Sequence, residues 1–267
     1  MNHLTDRFAK FLSLLFHPLW MPLIIYISVR TIDPYYIATT HADFLVFLLL
    51  IVNIIAPAIS MLVMIKYGIL SSIELRERKE RFGPYLLVIF YYILSYAILR
   101  RYVDFLPGSV FSFFLSVIVS LCLSLTINAY WKISVHMLAQ GGVFGTLLAL
   151  HVVHPNLDLL FPTLSLVMSA LTAYSRLRLD AHTHGQVYAG FCLGAFINWW
   201  IISNGIHLWY QVLHSYPVKS NSVARNILHL LLILVFSQKS QESYFSCVAS
   251  PYKLPFVLET CKWWWVM

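Results

Sequence analysis

The 267 residues are 60% hydrophobic and only 11% charged, with a mean hydropathy of +0.74, a balance that excludes an ordinary soluble globular domain. The net charge of +7 does not mark a nucleic-acid binder, because the basic residues stand in short loops between apolar runs, a pattern of membrane topology and anionic-lipid contact. A spanning helix takes about 20 mostly apolar residues, so the chain has room for about six or seven spans and no sizeable soluble domain.

The first apolar run, 11–29, follows Arg7 and Lys10 as the h-region of a signal peptide would. It is longer than such a region and no small-x-small cleavage site follows, so a retained helix is expected. Further helices are expected at 44–65, 84–100, 109–129, 133–152, 159–175 and 185–209. Backbone groups in lipid must be satisfied within the segment, and these runs lack the alternation of barrel strands, so an all-α polytopic bundle is predicted. In this reading residues 1–43 form an extra N-terminal helix and loop, and 44–210 form the main bundle, without an internal repeat. After about Tyr216 the character changes: Ser-, Lys- and Gln-rich clusters surround one apolar stretch, Ile227 to Phe236, too short to cross a bilayer. Residues 211–267 are therefore assigned to an appendage, interfacial with Trp263, Trp264 and Trp265 as its anchor, or disordered. The four cysteines, Cys122, Cys192, Cys247 and Cys261, show no paired spacing and indicate neither a disulfide framework nor a zinc site.

If the helices alternate direction, the N-terminus, the 66–83 loop, the 130–133 turn and the 176–184 loop share one side. That side carries Arg7, Lys10, Lys66, Arg76, Arg78, Lys79, Arg81, Lys132, Arg176 and Arg178, against Arg30, Arg100 and Arg101 opposite. By the positive-inside rule the richer side is cytoplasmic.

Two polar segments on that side stand out. In SRLRLDAHTHGQVYAG, Ser175 to Gly190, two Arg, an Asp, two His and a Gln meet at the mouth of an apolar helix, and ionisable groups at membrane depth are functional candidates by default. In WKISVHMLAQGG, Lys132, Ser134 and His136 open the helix that begins near Ile133, where free N–H groups and the positive dipole end suit a phosphate.

On these residues the chain resembles the type 2 phosphatidic acid phosphatase superfamily, as a divergent, bacterial-type member. The family's third motif, SRxxxxxHxxxDVxxG, is matched in register by Ser175, Arg176, His182, Val187 and Gly190. Its second, PSGH, is matched by Ser134 and His136, with Ile133 and Val135 in place of Pro and Gly. Its first, KxxxxxxRP, is absent as such; ELRERKERFGP, Glu74 to Pro84, offers a basic run and a proline at another spacing. The resemblance implies that His182 attacks phosphorus and forms a phosphohistidine, while His136 protonates the departing oxygen. It implies that Ser134 and Arg176 hold phosphate oxygens, with Ser175 also in the substrate-binding set. Phosphoryl transfer depends mostly on positioning and on cations around the equatorial oxygens, so Lys132, Lys79 and Arg81, with Arg76 and Arg78, are sensible additions. No metal or other cofactor is required by such a site.

The departure from the family is Gln186, four residues after His182, where the motif has an aspartate. One helical turn brings the two side chains within reach; an amide oxygen accepts the imidazole N–H but brings no charge. The resemblance implies hydrolysis of a lipid phosphomonoester or pyrophosphate, and the small size suits a bacterial inner membrane. Rival expectations are a catalytically weak relative that binds anionic lipid or acts as a scaffold, and a lipid phosphotransferase. Blander readings stand beside each site: a loop basic pair on lipid headgroups for Arg176 and His182, a helix cap and interhelical contact for Ser134 and His136, a solvated loop for RERKER, and a metal pair for His182 and His184 with Asp180 and His136. His17, His151 and His154 are assigned no role. The resemblance and the charge count disagree over the membrane face, since family members mostly act on the outer side.

Overall fold

The computed structural model describes residues 3–32, 39–72, 75, 78–102, 106–153 and 158–205. The appendage with its three tryptophans, the stretch 206–209, Arg76 and His154 lie outside the described residues. The described part is helical, with no strand in it. Its helices are α1 (His3–Leu15), α2 (Met21–Ile32), α3 (Thr39–Leu48), α4 (Ala56–Lys66), α5 (Phe82–Tyr102), α6 (Gly108–Tyr130), α7 (Val135–Val153), α8 (Leu160–Arg178) and α9 (His184–Ser203). Six segments are long and apolar enough to cross a membrane: His3–Thr31, Ala42–Lys66, Lys79–Tyr102, Gly108–Tyr130, Val135–Val152 and His184–Ser203. Helix α8, 19 residues long and hence about 28 Å at 1.5 Å per residue, has spanning length but less apolarity. The face it buries is Ser165, Ser169, Thr172 and Ser175, side chains small enough for neighbouring backbones to approach.

Two expected single helices are interrupted. The run expected at 11–29 begins at His3, breaks after Leu15, turns tightly over Pro18–Trp20 and resumes as α2. Pro18 has no N–H to continue the ladder, and the residue before a proline is pushed out of the helical region; His17 accordingly sits extended at φ −68, ψ 140. Between α3 and α4 the chain widens into a π-helical turn, Leu49–Ile55, in which Ala56 N–H bonds to the Ile51 carbonyl five residues back. Pro57 supplies the cause, since it cannot donate to the carbonyl four residues earlier. Buried Asn53 lies in that turn and accepts a hydrogen bond from Ser95 Oγ at 3.1 Å.

The tightest packing is between α7 and α9. Gly190 and Gly194 on α9 lie against the α7 backbone at Ser134 and Leu138, Gly141 and Gly145 on α7 lie against the α9 backbone at Phe191 and Ala195, and a Cβ on Gly194 would overlap the Leu138 carbonyl oxygen, as one on Gly145 would overlap that of Ala195. Only glycine permits this approach, and small residues one turn apart are what let helices associate where lipid removes the hydrophobic drive. The crossing sets the start of α7 beside the start of α9: Ser134 N–H donates to the Gln186 carbonyl at 3.3 Å. Helix α6 presents a buried polar stripe every four residues, Ser112, Ser116, Ser120, Ser124 and Asn128. Ser124 bonds Tyr85 at 2.7 Å, and Ser116 and Ser120 bond Asn198 of α9.

The four polar segments expected on one side do meet at one end of the bundle. Helix α1 is tied to α8 by Arg178, which pairs with Asp6 at 3.0 Å and donates to Thr5, and by Ser175, whose hydroxyl donates to the Ala9 carbonyl at 2.6 Å. The 78–81 turn is tied to the others by Asn128 Nδ2, which donates to the Arg78 carbonyl, and by Arg81, which donates to that of Ile133.

Candidate functional site

His182 is placed by the way α8 stops. Asp180 adopts a left-handed conformation at φ 50; Ala181 N–H returns to the Arg176 carbonyl and Asp180 N–H to that of Leu177. This is the paired closure of a helix C-terminus, and it turns the chain at once into α9. Thr183 then caps α9: its side chain accepts from the Gln186 N–H, and the Gln186 side chain accepts from the Thr183 N–H at 3.3 Å. Such a box satisfies two orphan donors reciprocally.

The same Gln186 Oε1 lies 3.0 Å from Nδ1 of His182. The main-chain N–H of Thr183 can only donate, so the atom it meets is the amide oxygen and not the nitrogen. His182 must then carry its proton on Nδ1, which leaves Nε2 with a free lone pair. Burial, followed by the charges of Arg81, Arg176 and Lys132, pushes the His182 pKa down from 6.5 to about 3, against the opposing bond to Gln186. The imidazole is therefore neutral and basic-faced at neutral pH, in a place that favours an anion. Its titration also bears on stability. Between pH 6.5 and about 3 the unfolded chain binds a proton that the folded chain refuses, so the fold is at full strength above that window and weakens as pH falls through it. Melting curves in detergent over about pH 4 to 7 should show this slope, and His182→Asn should lose that share of it.

Arg81 is 4% exposed. It donates from Nε to the Leu75 carbonyl at 2.9 Å and from Nη1 to the Ile133 carbonyl at 3.0 Å, and it has no carboxylate partner among the described residues. A buried cation without a counter-ion is expensive to keep, which marks a site for an incoming negative charge. Arg176, at the end of α8, donates from Nη1 to Ser13 Oγ at 2.8 Å, and Ser13 Oγ lies 3.5 Å from His136 Nε2. Ser13 thus joins that cation to the second imidazole.

These groups share one cavity of about 190 Å³, whose polar end is made by Arg81, Arg176, His17, His136 and His182. The remainder is walled largely by apolar side chains, among them Ile25, Met61, Val88, Phe113, Val117 and Val143, and reaches Ser120 and Asn198. Asn198 stands about 21 Å along α9 from its first residue at 1.5 Å per residue, so the cavity runs from the charged end deep into the bundle. No known protein family, curated protein or solved structure matches the chain.

The other residues singled out from sequence are placed less centrally. Ser175 commits its hydroxyl to helix α1. Lys79 is exposed and does not line the cavity. Ser134 is fully buried behind the cavity wall, its carbonyl beside Gly190 and its hydroxyl without a hydrogen-bond partner among the described residues. Lys132 contributes its charge to the surroundings of His182. His184 is exposed and stacks toward Tyr188, and no set of three metal-ligating side chains clusters among the described residues. Helix α1 and the break after it were the part not foreseen: Ser13 and His17 both reach the site. The available signal was a histidine directly before a proline inside a span, since polar groups in spans face the bundle interior and prolines break helices there.

Proposed function

We propose that the chain is a membrane lipid phosphatase of the type 2 phosphatidic acid phosphatase kind, acting on a lipid phosphomonoester or pyrophosphate in a bacterial inner membrane. The observation that carries this reading is the bare Nε2 of His182 in the same cavity as the buried cation of Arg81, which has no carboxylate partner among the described residues, with a largely apolar wall beyond them. Nε2 attacks phosphorus, the bond to the leaving oxygen breaks, and His136 gives that oxygen a proton. Water then attacks the phosphohistidine, with His136 taking its proton and phosphate departing. Arg81, Arg176 and Lys132 hold the charge that spreads over the equatorial oxygens. The basic end of the bundle is the cytoplasmic one by the positive-inside rule.

The test is phosphate release in detergent from a panel of phosphatidate, phosphatidylglycerophosphate and polyprenyl pyrophosphate, with EDTA and then orthovanadate added. Turnover that survives EDTA and is stopped by vanadate is the expected result; no release from any of these lipids overturns it. A second reading, an anionic-lipid binder without turnover, is favoured by one observation: Gln186 brings no charge to His182 and is already engaged in the capping box of α9.

A further inference from the structure

We propose that His17 is part of the substrate site, donating its Nε2–H to an oxygen of the bound phosphoryl group. This rests on the phosphatase reading above and adds to it a group from outside all of the resembling motifs. His17 stands in the break between α1 and α2, where its Nδ1 accepts the Leu19 N–H at 3.4 Å and caps the Pro18–Trp20 turn. A main-chain N–H is only a donor, so Nδ1 is unprotonated and the proton of the neutral ring is on Nε2. The capping bond thus fixes the tautomer, as Gln186 does for His182, but with the opposite result: His182 offers a lone pair and His17 offers an N–H.

The ring is part of the cavity wall at its charged end and packs edge-on against His136, with centroids 5.2 Å apart and planes at 86°. Among the described residues no acceptor is bonded to its Nε2, and the side chains that surround the space, Arg81 and Arg176, are themselves donors. Donors converging in this way on one space are what binds an anion rich in lone pairs. In transfer from a lipid phosphate the guanidinium groups supply charge, and the ring N–H supplies a directed bond to one equatorial oxygen. His17 remains neutral while its Nδ1 is held by the turn, so His136 alone carries the proton destined for the leaving oxygen.

The experiment is titration calorimetry of orthophosphate into the full chain in detergent, for the wild type, His17→Ala and His17→Asn. Asparagine is among the best capping residues, so His17→Asn keeps the Pro18–Trp20 turn but is too short to put a donor into the cavity. Both variants should bind phosphate about ten- to hundredfold more weakly, the range for losing a hydrogen bond to a charged group. Binding by His17→Asn at the wild-type level would show that only the cap mattered and would overturn the proposal, as would unchanged binding by both variants. Lipid turnover by the wild type, measured on the same preparation, reports on the phosphatase reading separately. Turnover with unaltered phosphate binding in the variants removes His17 alone, and absence of both turnover and phosphate binding in the wild type removes both.

Discussion

Replacing His182 by alanine should abolish turnover, by roughly six orders of magnitude if it behaves as the nucleophile of other covalent hydrolases does. The ring is the only nucleophile among the described residues of the cavity wall whose lone pair is both bare and held, through Gln186, at a fixed angle. His136→Ala should behave differently. A general acid contributes about 10² to 10⁴, and the loss should fall on lipids with poor leaving groups while a substrate such as p-nitrophenyl phosphate, which leaves without protonation, is nearly spared. Single-turnover rates across leaving groups check this. Equal and mild losses for both variants would mean that the two imidazoles bind an anion and do no chemistry.

The second large effect is expected at Gln186. In serine proteases, exchanging the orienting aspartate for its amide costs about four orders of magnitude, because the histidine adopts the wrong tautomer. Here the amide oxygen accepts from Thr183 N–H and from His182 Nδ1 together, so the tautomer is right and only the charge is lacking. Gln186→Glu keeps both accepted bonds, preserves the capping box and adds a charge that stabilises the imidazolium, so it should raise the rate of phosphohistidine formation. Gln186→Asp, shorter by one methylene, cannot span both partners and should gain less, despite matching the family motif. Gln186→Ala should lose rate through the freed tautomer and about 1 kcal/mol of stability through the cap. Rapid-quench measurement of the phosphoenzyme separates the three. If Glu and Ala both phosphorylate at the wild-type rate, the contact between His182 and Gln186 plays no part in the chemistry.

Much of the helical layout was legible because apolar runs report where lipid contacts the chain. Expected spans at 109–129 and 133–152 stand against Gly108–Tyr130 and Val135–Val153. What the runs do not report is backbone geometry inside the lipid: the break at His17 and the widened turn around Asn53 each lie within one apolar segment and do not divide it. Both interruptions have a proline within a few residues, and a reading that weighted Pro18 and Pro57 would have found them. The reach from His182 to Gln186 followed from helical spacing alone, and the placement of His136 and His182 on one cavity from alternating spans. The parts played by Ser13 and His17 were not legible. They depend on α1 lying against α8, and contact between elements 163 residues apart leaves no periodic trace. Lys79 and Arg81 looked alike in the RERKER run, yet one faces solvent and the other is buried; the difference lies in the tight turn Lys79–Arg81, which a charge count does not see.

Where α7 and α9 touch through their glycines, carbonyl oxygens rest on the partner's backbone with no layer of side chains between them. A side chain yields to pressure by changing rotamer, whereas a peptide plane is stiff. Helices answer a change in bilayer thickness by tilting, and these two must tilt as one body, taking His136 and the Gln186 that holds His182 along with them. The distance between the two imidazoles is thereby insulated from the thickness and lateral tension of the surrounding lipid. Compliance passes instead to the segments whose ladders are already interrupted, His17–Trp20 and Leu49–Ile55, so that deformation of the membrane is felt first along the wall formed by α2 and α4, opposite in character to the stiff pair that holds the two imidazoles.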